Sequence, residues 1–412
     1  MGYKNLKVSI IGIGRVGLPL ALFLENLGCK VVGIDKDSEV LRDVRKKKMS
    51  FDEPGCAALL KKTKMTISPS IQSGVRGSDY IIITVGTPLY NHIESDLSYI
   101  KSVCTDLCGS LKRGQTIILR STVAPGTTSY LKNFVEDNTS LKIGKNFGLA
   151  FCPERLAENQ AIEELGLLPQ IIGTEDNFSK NMTNKLFNLF GVELLFTNYL
   201  SAELIKLFNN VHRFTDFAVA NQFSVIAEKY NQNIYEIINM ANKNYPRGHI
   251  PSPGLTAGTC LRKDFGLLNE SSSAPDLFLS AWKINEHMPF HLVNSAKKYT
   301  KIRGKTIAVL GYGFKKNSDD IRDSLVPKLL RYIEREVPKK VLLCEPNIPK
   351  KNIEGFKNTD LNSCLKKADI IFIAINHDAF NKETILGKIK KNAWCVDLWN
   401  VLGQKQLVLR YN

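Results

Sequence analysis

The stretch that decides the fold is Gly12-Ile13-Gly14-Arg15-Val16-Gly17. An apolar run at residues 6–11 leads into it, and a helical pattern follows to about residue 27. A second apolar run, 30–34, ends in Asp35. Strand, glycine turn, helix, strand and acid in this order give the full context of a dinucleotide-binding fingerprint. Gly12 permits the tight turn, Gly14 lets a pyrophosphate approach the backbone, and Gly17 lets helix and strand pack closely, with Val16 completing the turn. The phosphates then rest on the unpaired N–H groups and positive dipole end of the helix. Asp35 can accept hydrogen bonds from ribose hydroxyls and would repel a 2′-phosphate, which points to NAD rather than NADP.

The same plan continues downstream. Strands are expected at 79–85 and 116–120, ending in Gly86-Thr87-Pro88 and Ser121-Thr122-Val123-Ala124-Pro125-Gly126-Thr127. Ligands of an open α/β sheet gather outside the carboxyl ends of its strands, so Thr87 and Thr122 are placed to face the cofactor; turn chemistry alone is the competing explanation. A last strand, 147–151, runs into Cys152-Pro153-Glu154-Arg155-Leu156-Ala157-Glu158. Charged side chains are costly to bury, so these are either exposed or working.

From residue 198 to about 241 the pattern is helical, with a break near 230–233. Lys206 and Asn210 stand one turn apart, and Arg213 and Phe217 continue the stripe. A lysine among apolar neighbours either snorkels to solvent or presents a fixed charge to an oxyanion, with Asn210 as second donor. After Tyr245-Pro246-Arg247-Gly248-His249 comes Gly254-Leu255-Thr256-Ala257-Gly258-Thr259-Cys260-Leu261-Arg262-Lys263-Asp264, then a second helical stretch at 276–299. The small residues let a ligand come close to the Cys260 sulfur, and a helix starting there would put Asp264 on the same face. Taken alone, Cys260 reads as a buried free thiol, as most cysteines are.

The remainder returns to α/β patterning. A strand at 305–310 ends in Gly311-Tyr312-Gly313-Phe314-Lys315-Lys316, Asp319-Asp320-Ile321-Arg322-Asp323-Ser324 is expected to open a helix, and further strands fall at 341–344 and 368–375 before Val396-Asp397-Leu398-Trp399-Asn400. The full GxGxxG is absent, so this second nucleotide-type module has a ligand other than an obvious NAD. The pattern switches divide the chain into 1–197, 198–300 and 301–412.

A chain of 412 residues with 43% hydrophobic and 23% charged residues suits two or three globular domains. Its net charge of +16 is spread over dispersed lysines without a basic run or aromatic-rich motif, which favours anionic small substrates over nucleic acid. Nine cysteines show neither CxxC pairing nor metal-ligand spacing; Cys104 and Cys108 lack any supporting His or second Cys pair. Reduced thiols and a cytoplasmic protein without a metal site are expected. The apolar run 8–24 holds Arg15, three glycines and a proline, so it reads as strand and helix rather than membrane anchor, and Gly2 lacks the rest of a myristoylation signal.

In the order and spacing of its motifs the chain resembles the nucleotide-sugar 6-dehydrogenases, which act on UDP-glucose, UDP-N-acetylhexosamines or GDP-mannose. The likeness runs almost end to end. It is carried by the N-terminal fingerprint, Glu53-Pro54-Gly55, Thr84-Val85-Gly86-Thr87-Pro88, Arg120-Ser121-Thr122-Val123, Pro153-Glu154-Arg155-Leu156, Lys206 with Asn210, Arg247, the Cys260 loop with Lys263-Asp264, Gly313-Phe314-Lys315 and Asn376-His377-Asp378. The resemblance implies an N-terminal Rossmann NAD-binding domain, a central helical dimerisation segment and a C-terminal Rossmann-like UDP-sugar-binding domain. It also implies a double oxidation of a sugar's primary alcohol to a uronate, serving polysaccharide precursor synthesis. Cys260 would form a thiohemiacetal and then a thioester, Lys206 and Asn210 would hold oxyanions, and Asp264, Thr122 and Glu158 would handle water. Glu154, Arg155, Leu156, Arg213, Arg247, Gly254 and Lys315 would contact the sugar nucleotide, Arg247 across a homodimer interface.

Three departures stand out. Ala257 precedes Gly258 where relatives often have a glycine pair, Asn159 follows Glu158 where glycine is usual, and Trp399 stands where many relatives carry an arginine. Arg213 sits early in its helix, as in the N-acetylhexosamine enzymes, which tilts the expectation toward an N-acetylated sugar. A two-electron hydroxyacid or 6-phosphogluconate type dehydrogenase would share the first domain but need neither Cys260 nor a third α/β domain. A non-catalytic homologue would be marked by loss of Cys260, Lys206 or Asp264, and all three are present.

Overall fold

The structure is a computed structural model and describes residues 5–87, 96–270, 276–404 and 406–411. Pro88 of the expected cofactor-side turn and Gly2 lie outside them. The backbone forms two compact units, Met1–Asn209 with Gly266–Ser272, and Asn210–Phe265 with Ser273–Asn412.

In the first unit, β1 (Lys7–Ile11), β2 (Lys30–Ile34), β3 (Thr66–Ser68), β4 (Tyr80–Ile83), β5 (Thr116–Leu119), β6 (Gly148–Phe151), β7 (Gln170–Gly173) and β8 (Leu194–Thr197) form one sheet in the order β3-β2-β1-β4-β5-β6-β7-β8. All pairings are parallel except β6 with β7. Every residue of β4 and β5 is buried, because helices cover both faces and the central strands must be apolar throughout. The expected strands at 6–11, 30–34, 79–85, 116–120 and 147–151 all form, within a few residues. Residue 151 is not the end of the sheet, however: β7 and β8 extend it. Gln-Ile-Ile-Gly and Leu-Leu-Phe-Thr are four-residue runs, too short for periodicity to separate strand from helix.

The second unit contains β9 (Thr306–Leu310), β10 (Lys340–Cys344), the hairpin of β11 (Asn352–Ile353) and β12 (Phe356–Lys357), β13 (Ile370–Ile373), β14 (Trp394–Asp397) and β15 (Val408–Arg410). Its main sheet has the order β10-β9-β13-β14-β15, parallel except for β15. The expectation of a helix opening at Asp319 is corrected: that segment is irregular, and the helix is Val326–Arg335, with Pro327 in its first turn. The carboxylate of Asp320 accepts from the backbone N–H of Arg322 and from its guanidinium, a local turn that competes with helix initiation.

The middle segment is helical as expected: Tyr199–Lys229, Ile234–Asn242, Thr259–Glu270 and Asp276–Tyr299. The break at 230–233 includes Asn231 with φ +53°, and Asn233 caps the next helix through the N–H of Tyr235. The apolar run 8–24 is divided between β1 and the helix Gly17–Asn26, and among the described residues no helix is long and apolar enough to cross a membrane.

Candidate active site

The glycine turn has the geometry its sequence requires. Gly12 has φ +93°, and a Cβ on Gly17 would lie 1.9 Å from the Gly12 carbonyl oxygen, so both must be glycine. A Cβ on Gly14 would meet nothing within 4 Å, which leaves open space over the turn. Thr84 Oγ1 donates to the Gly12 carbonyl at 2.7 Å and fastens the turn to the end of β4. Asp35 is half-buried; its carboxylate accepts from the N–H of Ile13 and of Asp37, both at 3.0 Å. A close backbone approach, an open face above Gly14 and an acid at the end of β2 fit NAD, with Gly12, Gly14, Val16, Gly17 and Asp35 as the residues that would hold it.

Thr87 is buried and donates through Oγ1 to the Thr122 carbonyl at 2.5 Å, joining the turns after β4 and β5; Thr122 is half-buried. Glu158 is ion-paired to Arg15 of the glycine turn at 2.7 Å. Asn159, next to it, has φ +65°, which explains the departure from glycine: asparagine is among the residues that tolerate the left-handed region.

Of the charges after β6, Glu154 is buried and Arg155 and Glu158 are half-buried, each with a partner. Glu154 accepts from Arg120 Nε at 2.8 Å, where Arg120 is 1% exposed, and from the N–H of Leu156 at 2.9 Å. Arg120 also donates to Gln170 of β7 at 3.2 Å. Arg155 donates to the Pro169 carbonyl, burial lowers its pKa, and Leu156 packs beside the core. Glu53, buried at 5% exposure, accepts from the N–H groups of Asn159 and Ala161 and so anchors the turn that carries Glu158. A second anchor that sequence reasoning missed is Glu203, 1% exposed, which accepts from the backbone N–H groups of Gly126 and Thr128 at the start of the helix Thr127–Asn138. A lone acid in a helical stripe was its only signal.

Lys206 is 8% exposed, and among the described residues no hydrogen bond or ion pair reaches its ammonium. A buried cation without a protein partner is costly unless a ligand's negative charge meets it. Arg213 is exposed, whereas Asn210 in the same helix is buried. Arg247 is exposed too, its guanidinium 5.0 Å above the Tyr245 ring.

In the second unit, Cys260 stands in the first turn of the helix Thr259–Glu270 and is exposed, while the other eight cysteines are buried or half-buried. Burial pushes the thiols of Cys104, Cys152 and Cys395 up to about 12, and that of Cys29 up to about 11, so they stay protonated and inert. A helix N-terminus favours a thiolate. One turn on, Asp264 is 1% exposed and accepts from Asn210 Nδ2 at 2.5 Å.

The approach loop is bound closely to the second sheet's turns. Gly254 donates its N–H to Asn221 Oδ1 at 2.9 Å, and a Cβ on it would lie 2.3 Å from the Trp399 ring. Gly258 has φ +102°, and a Cβ there would lie 2.6 Å from the Phe314 ring. Ala257 keeps a negative φ, so of the expected glycine pair only the second position needs glycine. Lys315, next to Phe314, is half-buried.

The chain matches three domains in succession: the NAD binding domain of the UDP-glucose/GDP-mannose dehydrogenase family over residues 6–191, the family's central domain over 200–288 and its UDP binding domain over 308–404. It is 32% identical to a UDP-N-acetyl-D-mannosamine dehydrogenase of Pyrococcus horikoshii, over 97% of this chain and 96% of that protein. A solved structure of the Pyrococcus horikoshii UDP-D-ManNAc dehydrogenase superimposes with a TM-score of 0.85 at 32% identity, covering 94% of each chain. A UDP-glucose dehydrogenase from Pyrobaculum islandicum shares the fold with a TM-score of 0.86 at 23% identity, over 96% of this chain and 94% of that one. From its turn geometry, its approach loop and these matches, the chain belongs to the UDP-glucose/GDP-mannose dehydrogenase family and uses NAD to oxidise a nucleotide sugar.

Proposed function

We propose that the chain carries out a four-electron oxidation of a UDP-N-acetylhexosamine, UDP-N-acetylmannosamine foremost, converting its 6-hydroxymethyl group to a carboxylate for polysaccharide precursor synthesis. One observation carries the mechanism: the single exposed cysteine stands at a helix N-terminus behind a glycine loop. The mannosamine preference is supported by the printed activity of the Pyrococcus horikoshii relative and by the early position of Arg213.

NAD, when bound, supplies the hydride acceptor for both oxidations. The Cys260 thiolate adds to the C6 aldehyde, a C–S bond forms, and the carbonyl oxygen takes the negative charge. The Lys206 ammonium and the Asn210 amide stabilise that charge, because fixed donors in a dry site need no reorganisation when it develops. Loss of hydride from C6 leaves a thioester. Water then adds to the acyl carbon as Asp264, oriented through Asn210 and assisted by Thr122 and Glu158, takes its proton. Collapse breaks the C–S bond and returns the thiolate, so one water is consumed for each uronate released.

Glu154, Arg155, Leu156, Arg213, Arg247, Gly254 and Lys315 are assigned to the nucleotide sugar. For Glu154 the role is indirect, through the buried Arg120 pair. The functional division into 1–197, 198–300 and 301–412 is supported by three successive family matches of similar extent. Exposed Val219, Phe223, Ile226, Ile237 and Met240 on the middle helices, with Tyr230 between them, support a homodimer, in which Arg247 would reach the other copy's substrate. A cytoplasmic location fits the many reduced thiols.

The test is to incubate purified protein with NAD and, in turn, UDP-N-acetylmannosamine, UDP-N-acetylglucosamine, UDP-glucose and GDP-mannose, and to count NADH per uronate. Two NADH for each sugar consumed, fastest with UDP-N-acetylmannosamine, is expected. One NADH per sugar would return the two-electron alternative, and tight binding without NADH would return the non-catalytic one.

A further inference from the structure

The motif Asn376-His377-Asp378 has no part in the mechanism above, yet His377 and Glu345 are each 2% exposed. Glu345 follows β10 as Asp35 follows β2, and the two acids grip their glycine turns in the same way. Asp35 accepts from the N–H of Ile13, after Gly12, and Glu345 Oε2 accepts from the N–H of Tyr312, after Gly311, at 2.7 Å. From there the two modules differ. Asp35 is half-buried, whereas Glu345 Oε2 also accepts from Gly313 N–H at 3.1 Å and lies 3.0 Å from His377 Nε2. The edge of the carboxylate that a ribose would need is occupied by imidazole.

The tautomer of that imidazole follows from its other neighbour. Asn317 donates its backbone N–H to His377 Nδ1 at 2.9 Å, so Nδ1 carries a lone pair and the ring proton lies on Nε2, directed at Glu345. The turn between the two grips is thus held at both ends: Gly313 by Glu345, and Asn317 by His377 and by Asp378, whose N–H donates to Asn317 Oδ1 at 3.0 Å. Between these points lie Phe314, whose ring presses on Gly258 two residues before Cys260, and Lys315.

We propose that the Glu345–His377 pair replaces a dinucleotide-ribose site by a brace, and that His377 is a positioning residue that sets Lys315 for the nucleotide sugar and, through Phe314 and Gly258, the loop of Cys260. This rests on the reading that Lys315 meets the nucleotide sugar. A turn released by the loss of His377 misplaces both groups, and small misplacements in a site of this kind are costly.

The experiment compares wild type, His377→Phe and His377→Gln in steady state with NAD and UDP-N-acetylmannosamine, and in the alkylation of Cys260 by iodoacetamide. His377→Phe is expected to raise KM for the sugar nucleotide about tenfold and to change the alkylation rate several-fold, with KM for NAD within about twofold. His377→Gln is expected to recover most of the loss, since its amide can donate to Glu345 and accept from Asn317. Unchanged sugar-nucleotide KM in His377→Phe, an equal rise in KM for NAD, or no rescue by glutamine would overturn the assignment. If the phenylalanine variant does not fold, ¹⁵N spectra of the wild-type histidines decide: Nε2–H with bare Nδ1 at His377 supports the brace, and the opposite tautomer overturns it. A wild type inert toward every UDP-sugar would sink the substrate reading beneath it, while an active wild type with indifferent variants sinks only the brace.

Discussion

Asn210 Nδ2 lies 2.5 Å from Asp264 Oδ2, with both residues buried, so an amide from the long middle helix orients a carboxylate one turn past the thiol. On the mechanism proposed above, Asn210 would have two tasks, donor to an oxyanion and holder of the acid that handles water. Asn210→Ala is expected to lower kcat by roughly 100-fold, the usual cost of one oxyanion donor, while the dissociation constant for NAD stays put. Stopped-flow NADH formation and a calorimetric NAD titration together check it; an NAD affinity that collapses with kcat would speak for general damage.

Cys260→Ser is expected to complete the first oxidation and stall before the second, because a hydroxyl is a far weaker nucleophile than a thiolate. Uronate output should fall by about 1000-fold or more. Quantifying uronate by chromatography tests the role, and undiminished steady-state production refutes it.

The last two glycines of the fingerprint should separate stability from cofactor binding. Gly17→Ala places a methyl 1.9 Å from the Gly12 carbonyl oxygen, so the helix must shift and the melting temperature fall. At Gly14 the new methyl meets only open space. Gly14→Ala should therefore melt like the wild type and bind NAD about tenfold or more weakly, because the methyl stands where the pyrophosphate must approach. Thermal scans with and without NAD distinguish the two.

Gly254 and Trp399 form a coupled pair. Gly254→Ala drives a Cβ to 2.3 Å from the indole, whose Nε1 is tied to the Ala374 carbonyl at 2.8 Å, so the ring cannot swing away without losing that bond. A cost of about 1–3 kcal/mol is expected for such overpacking. Trp399→Ala in the same chain should relieve part of it. A double-mutant cycle by denaturant titration should show favourable coupling, and strict additivity would mean that the contact carries no strain.

Acid stability should respond to Glu228. Burial pushes its carboxyl up, but the His291 ring 2.8 Å away and the hydrogen bonds from Lys298 and Ser295 pull harder, and its pKa falls to about 2. A folded-state pKa below the unfolded one stabilises the protein above the ordinary glutamate range, and the gain is lost as pH falls toward 2. Glu228→Gln should melt earlier than wild type at neutral pH, with the gap closing between about pH 4.5 and pH 2. A gap that is constant across this range would show that the carboxylate's charge is not the cause.

The residue order settled the kind of fold and the use of NAD. Gly12, Gly17 and Asp35 could be read in advance because a tight turn, a close packing contact and an acid at a strand end each leave one permitted residue type at a set spacing. The Cys260–Asp264 interval likewise depends only on helical pitch. Tertiary structure decided what burial and distant partners decide. It paired Glu154 with Arg120 and Glu158 with Arg15, turned Glu203 into an anchor for a helix start, buried Lys206 with no ion pair among the described residues, and enclosed His377 against Glu345. The same carboxylate is a base, a brace or a cap according to which donor lies about 3 Å away, and residues far apart along the chain meet at that distance only after the sheets and helices have packed.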